Sequence, residues 1–128
     1  MQSAIERANA QGILFIAAAG NDGTDNDATP SYPSGYPVDN VISVAALDSS
    51  GNLAWYSQYG ATTVDIGAPG SAVLSTVPTM KKGKVTAAYA YYDGTSMATP
   101  HVTGAAALYK SYNPGATMAQ IKAALLNG

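Results

Sequence analysis

Cysteine is absent from this 128-residue chain, and histidine and tryptophan occur once each. The first absence removes disulfides and thiolate-bound zinc as devices for holding the fold. A single histidine leaves no room for a histidine-rich metal centre, and any general base of that type is either His101 or lies elsewhere. Charge is also scarce. Charged residues make up 11% of the chain, against about 25% in an average soluble domain. The net charge of −2 offers no electrostatic footprint for nucleic acid or an anionic membrane, so neither partner is expected. Long apolar runs are missing too. Ile13 to Ala19 is far shorter than the roughly 20 residues that span a bilayer, and Met1 to Arg7 lacks the basic start and apolar run of a signal peptide.

What is present reads as a small α/β unit. Ser3 to Gln11 carries Ala4, Ile5 and Ala8 on one stripe, with Gly12 as the C-terminal stop of a short helix. Ile13 to Ala18 is continuously apolar, as suits a parallel strand covered on both faces. The Gly20 to Asn40 segment, rich in Asp, Gly, Pro and Ser, is predicted as a surface loop. Val41 to Ala46 and Val64 to Ile66 read as further strands, the second stopped by Gly67-Ala68-Pro69-Gly70. Ala72 to Val77 and Val85 to Tyr92 flank Lys81-Lys82-Gly83-Lys84, which predicts a hairpin with a solvated tip. Tyr89, Tyr91 and Tyr92 are read as cross-strand packing rather than a binding platform. Met97 to Tyr109, apolar on nearly every face, predicts a helix buried on all sides. Thr117-Met118-Ala119-Gln120 offers a capping box for a last helix through Leu126.

Chemistry concentrates at Gly94-Thr95-Ser96-Met97-Ala98-Thr99-Pro100-His101-Val102, where one small hydroxyl residue sits between a glycine turn and a helix-forming run. A serine there projects its Oγ while the first helical N–H groups stabilise developing negative charge. His101 is not its natural base. Five residues along a helix turn about 500°, which leaves the two side chains roughly 140° apart. His101 is therefore read as structural, with Pro100 tolerated near a helix start.

The stretch Gly94 to Gly104 resembles the nucleophile motif of the subtilisin-like serine proteases, the subtilases. Ala17-Ala18-Ala19-Gly20-Asn21-Asp22-Gly23 is similar to the family segment whose asparagine joins the oxyanion hole. Ser31-Tyr32-Pro33, Val41 to Ala46 and Val64 to Gly70 resemble further family blocks in the expected order. The resemblance implies a three-layer α/β fold with a mainly parallel sheet and the nucleophile at the N-terminus of a buried helix. It covers only the C-terminal half of the catalytic domain: residues 1–128 carry no counterpart of the family's N-terminal aspartate and histidine signatures.

By that resemblance Ser96 is the nucleophile, and the Asn21 amide with the Ser96 backbone N–H makes the oxyanion hole, assisted by the Thr95 hydroxyl. Taken alone, Asn21 reads rather as a turn residue after a strand, and the pairing with the Ser96 motif reverses that. Ala17, Ala18, Ala19 and Gly20 would line one wall of the primary specificity pocket, with Ser31 and Tyr32 near its base. The alanines are explained as well by a tightly packed layer. No cofactor is required. Calcium as a structural ion is implied at Asp65 with the Ser34 to Tyr36 loop, whereas the acidic stretch Asp22 to Asp27 fails the EF-hand pattern and reads as a solvated turn. The partners implied are a peptide or protein substrate and an N-terminal subtilase half, or a second copy through an open sheet edge. The parent protein is expected to be secreted or extracytoplasmic.

Overall fold

The computed structural model describes residues 1–128. Elements follow in the order α1 (Gln2–Ala10), β1 (Phe15–Ala18), β2 (Val41–Leu47), β3 (Ile66–Pro69), β4 (Val73–Lys81), β5 (Lys84–Tyr92), α2 (Thr95–Tyr112) and α3 (Met118–Asn127). Strands β1, β2 and β3 form a parallel sheet in that order, with Ala18 opposite Val44 and Val44 opposite Ile66. Parallel pairing forces each connection to cross over the sheet rather than turn back in a hairpin. The fold class is α/β, with a mainly parallel sheet as expected.

β2 is the centre of the molecule. Six consecutive residues, Val41 to Ala46, are buried, as a central parallel strand covered on both faces requires. Ile42, Val44 and Ala46 cluster with Ala98 and Val102 of α2, and Ala54, Tyr56 and Ala68 complete the cluster. The Tyr56 hydroxyl donates to the Gly70 carbonyl at 2.8 Å, and Gly94 N–H donates to the same carbonyl at 2.8 Å. The end of β3 is thereby tied to the turn that starts α2.

Three sequence expectations are corrected. β3 spans Ile66 to Pro69 rather than Val64 to Ile66, and Pro69 is tolerated as the last residue of an edge strand. Pro100 is the sixth residue of α2, beyond the first turn; it removes the N–H that would bond Ser96 O, yet the helix continues to Tyr112. The largest correction concerns α2 itself. Only the stripe Thr95, Ala98, Val102 and Ala106 is buried, at helical spacing, while Gly104, Ala105, Ala107 and Leu108 are exposed. Three strands are too narrow a platform to cover both sides of an apolar helix.

Other local signals are realised as written. Thr117 accepts from Gln120 N–H at 3.3 Å while the Gln120 side chain accepts from Thr117 N–H at 2.9 Å, a complete capping box at the start of α3. β4 and β5 form an antiparallel hairpin closed by Lys82 and Gly83, both at positive φ, as a two-residue type I′ turn demands. The hairpin is longer than the sequence alone suggested, reaching Lys81 and Lys84.

Candidate active site

Ser96 is the second residue of α2 and is exposed at the helix N-terminus. The turn before it depends on Gly94, whose φ of 156° lies in the region that favours glycine. A Cβ at that position would stand 3.7 Å from Asn21 Nδ2 and 3.7 Å from Ser96 N, with Met97 Sδ at 3.5 Å. One small volume in front of Gly94 is thus shared by the side-chain amide and the backbone N–H expected to act together. Glycine keeps it open.

Asn21 is held there by the start of α2. Its Oδ1 accepts from Thr95 N–H at 2.9 Å and from the Thr95 hydroxyl at 3.0 Å, so the amide has one orientation and Nδ2 faces outward. The contact also satisfies a helix N–H that has no intrahelical partner, which makes Asn21 a cap supplied from 74 residues away. Thr95 is fully buried and its Oγ1 accepts from Gly20 N–H at 3.3 Å. Its one hydroxyl proton is directed at Asn21 Oδ1. The hydroxyl expected to assist is thus committed to holding the Asn21 amide.

Asn21 leaves β1 through Gly20, at φ 117°, where any Cβ would collide with the Gln58 side chain. Gln58 is buried and donates through Nε2 to Asn26 Oδ1 at 2.6 Å, while its backbone N–H donates to Gly20 O at 2.9 Å. Asn26 in turn donates through Nδ2 to Ala19 O at 3.0 Å. This buried amide pair fixes the turn that aims Asn21. Sequence reasoning missed both residues: a lone Gln and a lone Asn in polar loops carry no periodicity or motif.

The remaining expected positions divide. Ala18 shares a concavity with Ser96, Thr99, Pro100 and Thr103. The Ala17 and Ala19 side chains are buried in the core, and Gly20 is spent on the turn. Ser31 and Tyr32 lie in a separate turn where Ser31 O accepts from Gly35 N–H at 2.7 Å and the Tyr32 ring stacks obliquely on Tyr36 at 4.6 Å. They line neither concavity that contains Ser96. His101 Nδ1–H donates to Met97 O at 2.8 Å on its own helix; His101 and Ser96 line one concavity, but no hydrogen bond joins them.

Asp65 does meet the Ser34 to Tyr36 loop, in a concavity that also contains Asp39, Thr62 and Lys122. The donor set does not fit a calcium ion. Asp65 Oδ2 accepts from Ser43 N–H at 2.7 Å, and the Lys122 ammonium donates to Asp39 O at 2.9 Å and Val41 O at 2.7 Å. A fixed positive charge already occupies carbonyls that a cation would want, and nowhere do three acidic or histidine side chains converge. In the acidic stretch, Asp27 is used structurally. The Thr63 hydroxyl above all, against an opposing desolvation, then the Thr62 hydroxyl and both backbone N–H groups hold its carboxyl below the ordinary 3.8.

The sequence matches the family model of the subtilase family over residues 1–128. The chain belongs to the subtilase family. It is 46% identical over 127 residues to an alkaline elastase of a Bacillus species, covering 99% of this chain and 30% of that protein. An extracellular protease of Xanthomonas campestris is 44% identical over 128 residues, with 99% and 21% covered. Among solved structures, a protease from Pseudoalteromonas arctica superposes with a TM-score of 0.83 at 38% identity, over 98% of this chain and 38% of that one. This subtilase chain therefore spans less than half the length of the relatives it matches.

Proposed function

We propose that this subtilase chain carries the nucleophile and oxyanion portion of a serine endopeptidase, which hydrolyses peptide bonds by acyl transfer. Ser96 Oγ attacks the scissile carbonyl, and the oxygen that becomes negative is stabilised by Asn21 Nδ2 and Ser96 N–H. The single observation that carries the reading is their common distance of 3.7 Å from one point in front of Gly94. Donors fixed before the reaction stabilise the transition state without reorganisation, and Thr95 supplies that fixation here. The triad base and acid come from residues outside these 128, since five positions along α2 leave His101 roughly 140° around the helix axis from Ser96. Ala18 and its neighbours form one wall of a pocket for an apolar substrate side chain. The parent protein works outside the cytoplasm, a reading supported by the extracellular relative.

A fluorophosphonate probe tests this directly. Labelling of the chain only when it is mixed with an N-terminal subtilase segment, and its loss in Ser96→Ala, is the expected result. Labelling of the chain alone that is abolished by His101→Ala would instead make His101 the base and overturn the arrangement.

A second reading has its own observation. β1 is an edge strand and the Gly104 to Leu108 side of α2 is uncovered, so the chain also has the surfaces of an inactive assembling fragment. Light scattering separates the two: concentration-dependent association without labelling in any mixture favours assembly alone.

A further inference from the structure

The β4–β5 hairpin is the part of the molecule that the site does not use. Each strand is nine residues long, so the ribbon extends about 30 Å. Its register places Leu74 opposite Tyr91, Thr76 opposite Tyr89 and Met80 opposite Val85, which puts these six side chains on one face. That face is open to solvent: Tyr89 is 74% exposed, Tyr91 68% and Leu74 53%. The tyrosines do stand opposite cross-strand partners as expected, but nothing packs over them. Exposed apolar surface of this continuity marks an interaction surface.

Two observations identify the occupant. The face begins at the nucleophile, because Leu74 lines a concavity of about 330 Å³ together with Ser96, Met97 and Pro100. The outer edge of β5 is also unpaired, and it carries no proline, whereas the outer edge of β4 is interrupted by Pro78. Leu74 in that concavity is the cross-strand partner of Tyr91, so the strip continues from the Ser96 side across β4 to β5 and its free edge. We propose that the hairpin binds a second stretch of the polypeptide substrate, outside the scissile bond, as an added strand along β5. Backbone hydrogen bonds would supply affinity, and alternate apolar side chains lying on Tyr91 and Tyr89 would supply selectivity. The lysines at the tip, Lys81, Lys82 and Lys84, mark where this strip ends. Naming the occupant as substrate rests on Ser96 being the nucleophile; the strand-adding surface does not.

The test titrates the cleavage-dead Ser96→Ala chain with a 12-residue peptide alternating Leu or Phe with Thr, and with a Gly/Ser/Asn peptide of equal length. The alternating peptide is expected to bind and to protect amides of residues 85–92 from exchange, while the polar peptide does not. Tyr89→Thr with Tyr91→Thr keeps strand propensity and should weaken binding about ten-fold, the ordinary effect of two lost aromatic contacts. Leu74→Thr, on the other strand, gives an independent weakening should the double variant lose its hairpin. Tyr112→Ser, at the far end of α2 and 81% exposed, should leave binding intact. Equal binding of both peptides, equal loss with Tyr112→Ser, or no protection along β5 overturns the proposal. Self-association that competes with the peptide assigns the face to a second copy and also overturns it. Fluorophosphonate labelling of the unmodified chain mixed with an N-terminal subtilase segment scores Ser96 separately, so a failed nucleophile and a failed docking strip give different results.

Discussion

The two sheets of this molecule make opposite use of their strands. In β2 every residue from Val41 to Ala46 is buried, and α2 runs across β1, β2 and β3. In β4 and β5 no residue is buried at all. The hydroxyl and amide expected to do the chemistry stand on the first system. The apolar strip proposed to meet substrate belongs to the second. A reacting group must be held to a fraction of an ångström, which demands a packed support. A surface that accepts varied chains gains from being free of such packing.

The contrast is broken most directly in the core. Ile42→Ala should lower stability by about 2–5 kcal/mol, as expected for a fully buried aliphatic side chain in a cluster unable to collapse. Thermal or denaturant unfolding measures it, and a loss below 1 kcal/mol would mean that β2 is less tightly packed than its burial implies. Next in size is Asn21→Ala. In the assembled enzyme its kcat should fall about 10²–10³-fold, the size established for the corresponding donor in subtilisin, with little change in KM. A drop in KM-dependent terms alone would remove Asn21 from the oxyanion.

Smaller effects sharpen the same comparison. Thr117→Ala removes one side of the α3 capping box and should cost about 1 kcal/mol of stability. Leu74→Thr, exposed on the hairpin, should stay within about 0.5 kcal/mol of the parent, as surface substitutions do. A loss comparable to that of Ile42→Ala would show the hairpin to be structurally coupled to the core. Smallest is the acid limb. The folded state holds Asp27 below 3.8, so its contribution is complete above that value and is lost as pH falls through the depressed value. Melting curves between pH 5 and pH 2 should therefore decline less steeply for Asp27→Asn than for the parent. Parallel curves would show that the Thr62 and Thr63 contacts do not persist in solution.

Much of this was legible before any coordinates. Gly12, Gly83 and the Thr117 to Gln120 box mark their turns and cap through nearest-neighbour geometry, and each is found where it was read. The serine motif and its asparagine partner were legible as a resemblance. The hairpin was recognisable but underestimated, since Thr, Pro and Lys near its tip weaken the alternation that would extend it. Burial was the least legible property. α2 is apolar enough to be enclosed, yet only one stripe finds a partner. Gln58 and Asn26 escaped altogether because their meaning lies in a hydrogen bond across 32 residues.

Sequence by itself determined which elements form and where several of them are capped, because a positive φ, a cap or an apolar run depends on a few adjacent residues. It also determined which residues are available for chemistry: one exposed serine at a helix start, one asparagine after a strand, one histidine. Tertiary structure alone decided that Asn21 would cap α2 through Thr95, that Gly94 would leave room between two donors, and that Lys122 would fill the carbonyls beside Asp65. The reason is the parallel register. It sets β1, β2 and β3 side by side with their ends facing one turn, and that alignment is a property of the assembled sheet, encoded by no local segment.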